Sequence, residues 1–373
     1  MRQRATILTL LLASVACGRS QMLDSETAAA RGGGGGDVPA SGGTVATGGT
    51  LAAGGASGTR GATVTGGTTS TGGTSNPCAG QHTVTEFALA QRRSQPHMIT
   101  AGSDGNLWFT EYNADLIGRI SPSGNIFERH VITGNSGVFG IVGAPDGRIW
   151  FTEVLGRNIG FIYLEGTVEE MTLFSYSLPR NLAIGPDGNP WFTGYSADEV
   201  AVVTGGAGLR PLLACAGDGV WVGITTGPDG KLWLTGQGAD SICQLALDGT
   251  ATRFQLPYWG SQPWGITTGS DGALWFAEYG GSRIGRITTA GEITEFETPT
   301  ANSYPVNIVA APSGALWFTE DKGNSLGCIT TAGDIVEYPV PTQNSSPAGI
   351  TLGPDANLWF TEETGDKIGR INP

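Results

Sequence analysis

Residues 265–296 read GITTGSDGALWFAEYGGSRIGRITTAGEITEF, and this stretch decides the fold. Gly265-Ile266-Thr267-Thr268 runs into a Ser270-Asp271-Gly272 turn. Leu274-Trp275-Phe276-Ala277-Glu278 follows, then a short loop, Ile284-Gly285-Arg286-Ile287, a turn at Gly291 and Ile293-Thr294-Glu295-Phe296. These are four short runs of β-branched and aromatic residues parted by Gly and Asp turns, with no helical period. The unit recurs. Its tryptophan returns as Trp108, Trp150, Trp191, Trp233, Trp275, Trp317 and Trp359, at spacings of 42, 41, 42, 42, 42 and 42 residues. Four strands per roughly 40–45 residues make the blade of a β-propeller. The sequence therefore predicts an all-β, seven-bladed propeller of four-stranded blades.

The two ends of the array fit together. The last repeat stops at Ile368-Gly369-Arg370-Ile371, after a third strand. Thr83-Val84-Thr85-Glu86-Phe87 matches Ile293–Phe296 and is expected to supply the missing fourth strand. That closes the ring over residues 83–373 and removes open sheet edges.

Upstream, the composition changes. Residues 1–82 hold five Arg, three acids and no Trp, which leaves 15 basic and 30 acidic groups, net −15, for the remaining 291 residues. Gly makes up 61 of the 373 residues, much of it in runs such as Gly32–Gly36 and in Gly-Gly-Thr units. Such a stretch cannot bury enough apolar surface to offset ordering entropy, so 18–82 reads as a disordered tether. The acidic propeller repels phosphate, so a nucleic-acid partner is not expected. Overall acidity weakly favours cationic ligands.

Ile7–Ala16 is apolar, follows Arg2 and Arg4, and falls short of the roughly 18–20 residues that span a bilayer. It reads as a secretory signal over 1–17. Ser14-Val15-Ala16-Cys17 resembles the lipobox of bacterial lipoproteins, which makes Cys17 the candidate lipidation site; the motif usually has Leu where Ser14 stands. The expectation is an exported, cell-envelope lipoprotein and a monomer, meeting the membrane only through its anchor. Gly18 after the Cys, by analogy with Gram-negative lipoproteins, favours the outer membrane. An ordinary signal cleaved after Ala16, giving a secreted protein, is the alternative.

Leu-Trp-Phe-Thr-Glu (107–111), Ile-Gly-Arg-Ile (117–120, 284–287, 368–371) and Gly-Glu-Ile-Thr-Glu-Phe (291–296) resemble the streptogramin B lyases, also called virginiamycin B lyases. The resemblance spans about 83–373. It implies a seven-bladed propeller and Mg²⁺-assisted opening of a cyclic peptide lactone by elimination. It also implies two blades beginning with Pro-His, a Glu two positions before one His, a further Glu ending the next strand, and a Tyr opening another blade. Here Pro96-His97 is the one such pair, and Gln95 stands where that Glu would be. Phe139 and Ala348 open the neighbouring blades, and Tyr112 occupies the place of the strand-end Glu.

Chain direction places the opening residue of each innermost strand on one rim with the ends of the second strands. The opening residues are His97, Phe139, Arg180, Val222, Trp264, Val306 and Ala348. Chemistry is expected where the repeat is broken: His97 as a base, with Phe139, Arg180, Trp264, Tyr112, Tyr195 and Tyr279 as ligand contacts. Glu111, Glu153, Glu278, Glu320 and Glu362 recur at one position, which points to the scaffold. A ring of carboxylates also offers oxygen ligands for a divalent cation, with Glu111 and Glu362 as the candidates. His130 is expected on an outer strand and His82 in the tether, away from the rim.

There is no G-x-S-x-G, H-E-x-x-H, C-x-x-C or Gly-Lys-Ser/Thr phosphate loop. Cys78, Cys215, Cys243 and Cys328 allow three disulfide connectivities in an oxidising compartment. Cys215 with Cys243 is preferred, and Cys243 and Cys328 can equally be buried thiols. Three functions remain in play: a module binding a small molecule, peptide or glycan at the channel mouth, a metal-assisted lyase on a cyclic depsipeptide, and a platform for protein partners.

Overall fold

In the computed structural model the described residues are 61–65, 76–173, 178–195, 199–205, 208–215 and 220–373. The signal, Cys17 and most of the tether lie outside them. The described chain is built from β-strands, and no helix in it is long and apolar enough to cross a membrane.

Seven antiparallel sheets form the blades. The first runs β3 (Pro96–Ala101), β4 (Leu107–Glu111), β5 (Leu116–Ile120), β6 (Ile126–His130), and the next five repeat this order through β26 (Ile335–Pro339). The seventh joins β27 (Pro347–Leu352), β28 (Leu358–Glu362) and β29 (Lys367–Ile371) to β2 (Gln81–Ala88) from the front of the chain. Val84 pairs with Ile371 and Ala88 with Lys367, so the expected closure by strand exchange is present. Innermost strands abut around the whole circle, β27 against β3 included.

Each motif residue has a packing reason. The seven repeat tryptophans are buried between blades. In five of them the indole N–H donates to the Asp of the preceding turn, as Trp108 Nε1 does to Asp104 Oδ1 at 3.2 Å. Arg119, Arg286 and Arg370 lie over Trp108, Trp275 and Trp359 at 5.2, 5.9 and 5.4 Å. The glycine of Ile-Gly-Arg-Ile makes room for the phenylalanine of Trp-Phe: a Cβ on Gly118 would stand 2.1 Å from the Phe109 ring. The motif that carries the family resemblance is thus wholly spent on the scaffold.

Two features differ from the expected tether. Gly61–Thr65 forms β1, which adds to β2 as a fifth strand on the outer edge of the seventh sheet. Cys78 is bonded to Cys328 across a sequence separation of 250, and Cys215 to Cys243 across 28. The first bridge pins residue 78 to the sixth blade, where the Tyr338 hydroxyl donates to the Cys78 carbonyl. His82 is buried in β2, its Nδ1 2.6 Å from the Asn372 carbonyl and its ring edge-on to Tyr338. It belongs to the closing strand and stays away from the rim, as does exposed His130 at the end of β6.

Candidate functional site

In every blade the innermost strand slips register at its second and third residues. Pro96 pairs with Glu111 and Ile99 with Phe109, so His97 and Met98 together face Thr110. This two-against-one bulge re-aims the opening residue out of the ladder. It also leaves backbone groups unpaired, and Thr110 satisfies two of them: its hydroxyl accepts from Met98 N at 3.0 Å and donates to the Phe139 carbonyl of the next blade at 2.8 Å. The same bridge is made by Thr152, Thr193, Thr235, Thr319 and Thr361. Thr361 closes the circle by donating to the His97 carbonyl at 2.7 Å. Ala277 holds this place in the fifth blade.

The loops leading into the mouth are fixed in the same stepwise manner. Asp366 accepts from Arg93 N and Ser94 N at 2.6 and 2.9 Å, Asp115 from Asn135 N and Gly137 N at 2.8 and 2.9 Å, and Asp240 from Gly260 N and Gln262 N at 2.7 Å each. A carboxylate of one blade thereby locks the loop of the next. For His97 that carboxylate comes from the C-terminal end of the chain.

On this frame the expected contact residues meet in one belt. His97 lies 4.0 Å from the Phe139 ring, and Tyr112 is edge-on to Phe139 at 6.3 Å. Arg180 sits 4.8 Å from Phe139, 4.3 Å from Tyr195 and 5.9 Å from Trp264. Trp264 is 5.6 Å from Tyr279, whose hydroxyl donates to Asp321 at 3.2 Å. All seven residues picked from breaks in the repeat, apart from the glutamates, are therefore neighbours through ring and cation contacts.

His97 is 8% exposed, and its Nδ1 is hydrogen-bonded to Glu363 while Nε2 has no partner. Arg180 is 6% exposed, with its Nε unpartnered. Burial draws its guanidinium below the ordinary range, against the pull of Tyr195 and Tyr112. Burial, with Asp321 and Glu363 nearby, holds the Tyr279 phenol protonated well above its usual range. A hydrogen-bonded imidazole with a free nitrogen can take a proton, and a dry guanidinium can hold an anion or a developing oxyanion.

The expected metal ligands lie elsewhere. Glu111 and Glu362 are fully buried, Glu111 beside Ser94, Glu128 and Asp366, Glu362 beside Glu86, Lys367 and Ser345. Desolvation raises Glu111 and Glu278 to about 7 and Glu153, Glu320 and Glu362 to about 8. The side chain that reaches the mouth is the following one, Glu363 and Asp321, because successive residues at a strand end point to opposite faces. The sequence already sets both at strand ends on the rim; the metal role expected of Glu362 lies one position before Glu363. A separate cleft of about 410 Å³, lined by Arg148, Trp150, Phe161 and Tyr163 of the second blade, opens at the opposite face between blades two and three.

The model of the Virginiamycin B lyase family matches residues 58–234 and 175–373. This chain belongs to the virginiamycin B lyase family. Three solved structures resemble it at a TM-score of 0.75, each covering 78% of this chain. A streptogramin B lyase is 37% identical over 97% of its own length. Virginiamycin B lyase from Staphylococcus aureus is 35% identical over 99%. A catalytically inactive form of that enzyme with quinupristin is 36% identical, also over 99%. The comparison with curated sequences found no match.

The Mg²⁺ that membership implies finds a poor donor set here. Glu363 is bonded to His97, and both Asp321 oxygens are taken by Lys322, one also by Tyr279. Among the described residues no group of three or more His, Cys, Asp or Glu is gathered to hold a metal. Mg²⁺ keeps several of its own waters but needs one or two carboxylates free to bind it, and both described carboxylates at the mouth are engaged. The mouth does not fit it, and it presents a guanidinium instead.

Proposed function

We propose that the channel mouth binds a small peptide-type molecule and holds it against the His97–Glu363 pair. The observation that carries this reading is the unbroken belt Phe139–Arg180–Tyr195–Trp264–Tyr279, an apolar lining with a few convergent polar groups. Two exposed aromatics, Tyr258 and Trp259, stand on the loop that leads into β19 (Pro263–Thr268), with Tyr258 against the Arg283 guanidinium at 4.3 Å. The test is titration of quinupristin into the protein with tryptophan fluorescence as readout. Binding that Trp264→Ala weakens at least tenfold supports the reading, and an unchanged affinity in the variant removes it.

A second reading, elimination, is favoured by the geometry of His97. Its free Nε2 would take the proton next to a carbonyl, the β-carbon–oxygen bond of the ester would break, and the leaving group would depart as a carboxylate. Glu363 would steady the imidazolium. Incubation with a streptogramin B, with Mg²⁺ and with EDTA, followed by mass spectrometry, tests it. Isomeric ring opening that His97→Ala abolishes supports a lyase. Intact antibiotic in both arms leaves the binding reading alone.

We further infer export to the cell envelope through Cys17, with the two disulfides in keeping with an oxidising compartment. Radiolabelled palmitate incorporated by the wild-type chain and lost in Cys17→Ala tests that anchor.

A further inference from the structure

We propose that Arg180 is a carboxylate-binding site, so that the mouth selects ligands carrying a free carboxylate beside an aromatic or aliphatic group. This rests on the binding reading above and names the ligand class.

Arg180 opens β11 (Pro179–Ile184), in the bulge that turns the residue toward the channel. It is the one cation among the seven opening residues, apart from what His97 carries when protonated. Its neighbours within cation–π range are Phe139, Tyr195 and Trp264, all ring faces. Among the described residues no carboxylate pairs with it, although the propeller carries twice as many acids as bases. Other partly buried arginines do have one: Arg283 reaches Glu278 at 3.2 Å and Arg286 reaches Asp271 at 2.7 Å. Among the described residues the two carboxylates at the mouth are committed to His97 and to Lys322 with Tyr279.

A buried charge is ordinarily paired. Three aromatic faces compensate Arg180 in part and hold its plane, but they cannot accept the hydrogen bonds of its five N–H donors. Nε has no acceptor. A planar carboxylate supplies the matching acceptor pair, and the surrounding rings would pack the group that bears it. The acidic surface argues for cations only at long range. Inside the mouth the charge that lies against Phe139, Tyr195 and Trp264 is Arg180.

The probes are N-acetylphenylalanine and N-acetylphenylalaninamide, which differ only in the charged group, titrated calorimetrically into the protein alongside quinupristin. The expected result is that the acid binds at least thirtyfold tighter than the amide. Arg180→Gln should erase this preference, and Arg180→Lys, which keeps charge but loses the fork, should weaken the acid about tenfold. Matching circular dichroism and urea midpoints confirm that the variants fold, and if the glutamine variant does not, the lysine variant carries the comparison. Equal binding of acid and amide overturns the proposal, as does a preference that is undiminished in Arg180→Gln or Arg180→Lys. If quinupristin binds while neither probe does, the carboxylate site is refuted and the binding reading stands. If none of the three binds, both fall.

Discussion

Thr361→Val probes the seam where the ends of the chain meet and where the site is built. The Thr361 hydroxyl accepts from Gly349 N at 2.8 Å and donates to the His97 carbonyl at 2.7 Å, and both bonds are buried. Valine keeps the shape and removes both. The bulge leaves neither group a ladder partner, so a buried donor and a buried acceptor are orphaned together. Each costs about 1–3 kcal/mol, and a loss of about 2–4 kcal/mol is expected for the pair. That is a large share of the 5–15 kcal/mol or so that holds a typical domain together. Urea unfolding should show a lower midpoint with an unchanged slope, while Thr361→Ser stays near wild type. Ala277 supplies the converse: Ala277→Thr restores the bridge in the fifth blade and should gain about 1 kcal/mol. A Thr361→Val protein within about 0.5 kcal/mol of wild type refutes the role given to these hydroxyls.

Two further outcomes follow from the same contacts. Glu111, Glu153, Glu278, Glu320 and Glu362 are raised in the folded chain from 4.5 to about 7 or 8, so between those values the folded protein binds more protons than the unfolded. Their contribution is full below about pH 4.5 and is lost as pH rises to about 8; the urea midpoint should be higher at pH 5 than at pH 8.5, and the reverse order contradicts the burial assigned to them. Cys78→Ser opens a loop of 250 residues and should lower stability by about 2–5 kcal/mol in non-reducing urea titrations, an effect that an already reduced bond would not show.

The fold was legible because each blade repeats one packing solution. Trp275 between blades, Phe276 over Gly285 and the Asp271 turn recur wherever the spacing recurs, and Thr83–Phe87 carries the outer-strand pattern that the last repeat lacks. The belt residues were legible for the opposite reason. His97, Phe139, Arg180, Trp264, Tyr112, Tyr195 and Tyr279 stand where the repeat demands nothing, so their identity reports on the mouth. Glu363 sits at a strand end on the rim, but the metal role fell to Glu362 because strand alternation, which turns Glu362 inward and its successor outward, rests on a single register step. Its pairing with His97 also spans 266 positions and exists only once the ring closes. The Cys78–Cys328 bridge was hidden likewise, since nothing local to Cys78 points to the sixth blade. Strand β1 lies in a Gly- and Thr-rich stretch whose composition resembles a coil, and its order comes from the edge of β2.

The closed ring joining His97 to Glu363 is best tested by a double-mutant cycle in urea unfolding, with His97→Ala, Glu363→Ala and the double variant. The pair is mostly buried, with side-chain exposures of 10% and 18%, and a hydrogen bond to a charged group is worth about 1.5–3 kcal/mol. A coupling of at least about 1 kcal/mol between residues from opposite ends of the chain is the result expected here. Additive losses, with a coupling within about 0.3 kcal/mol of zero, would contradict it.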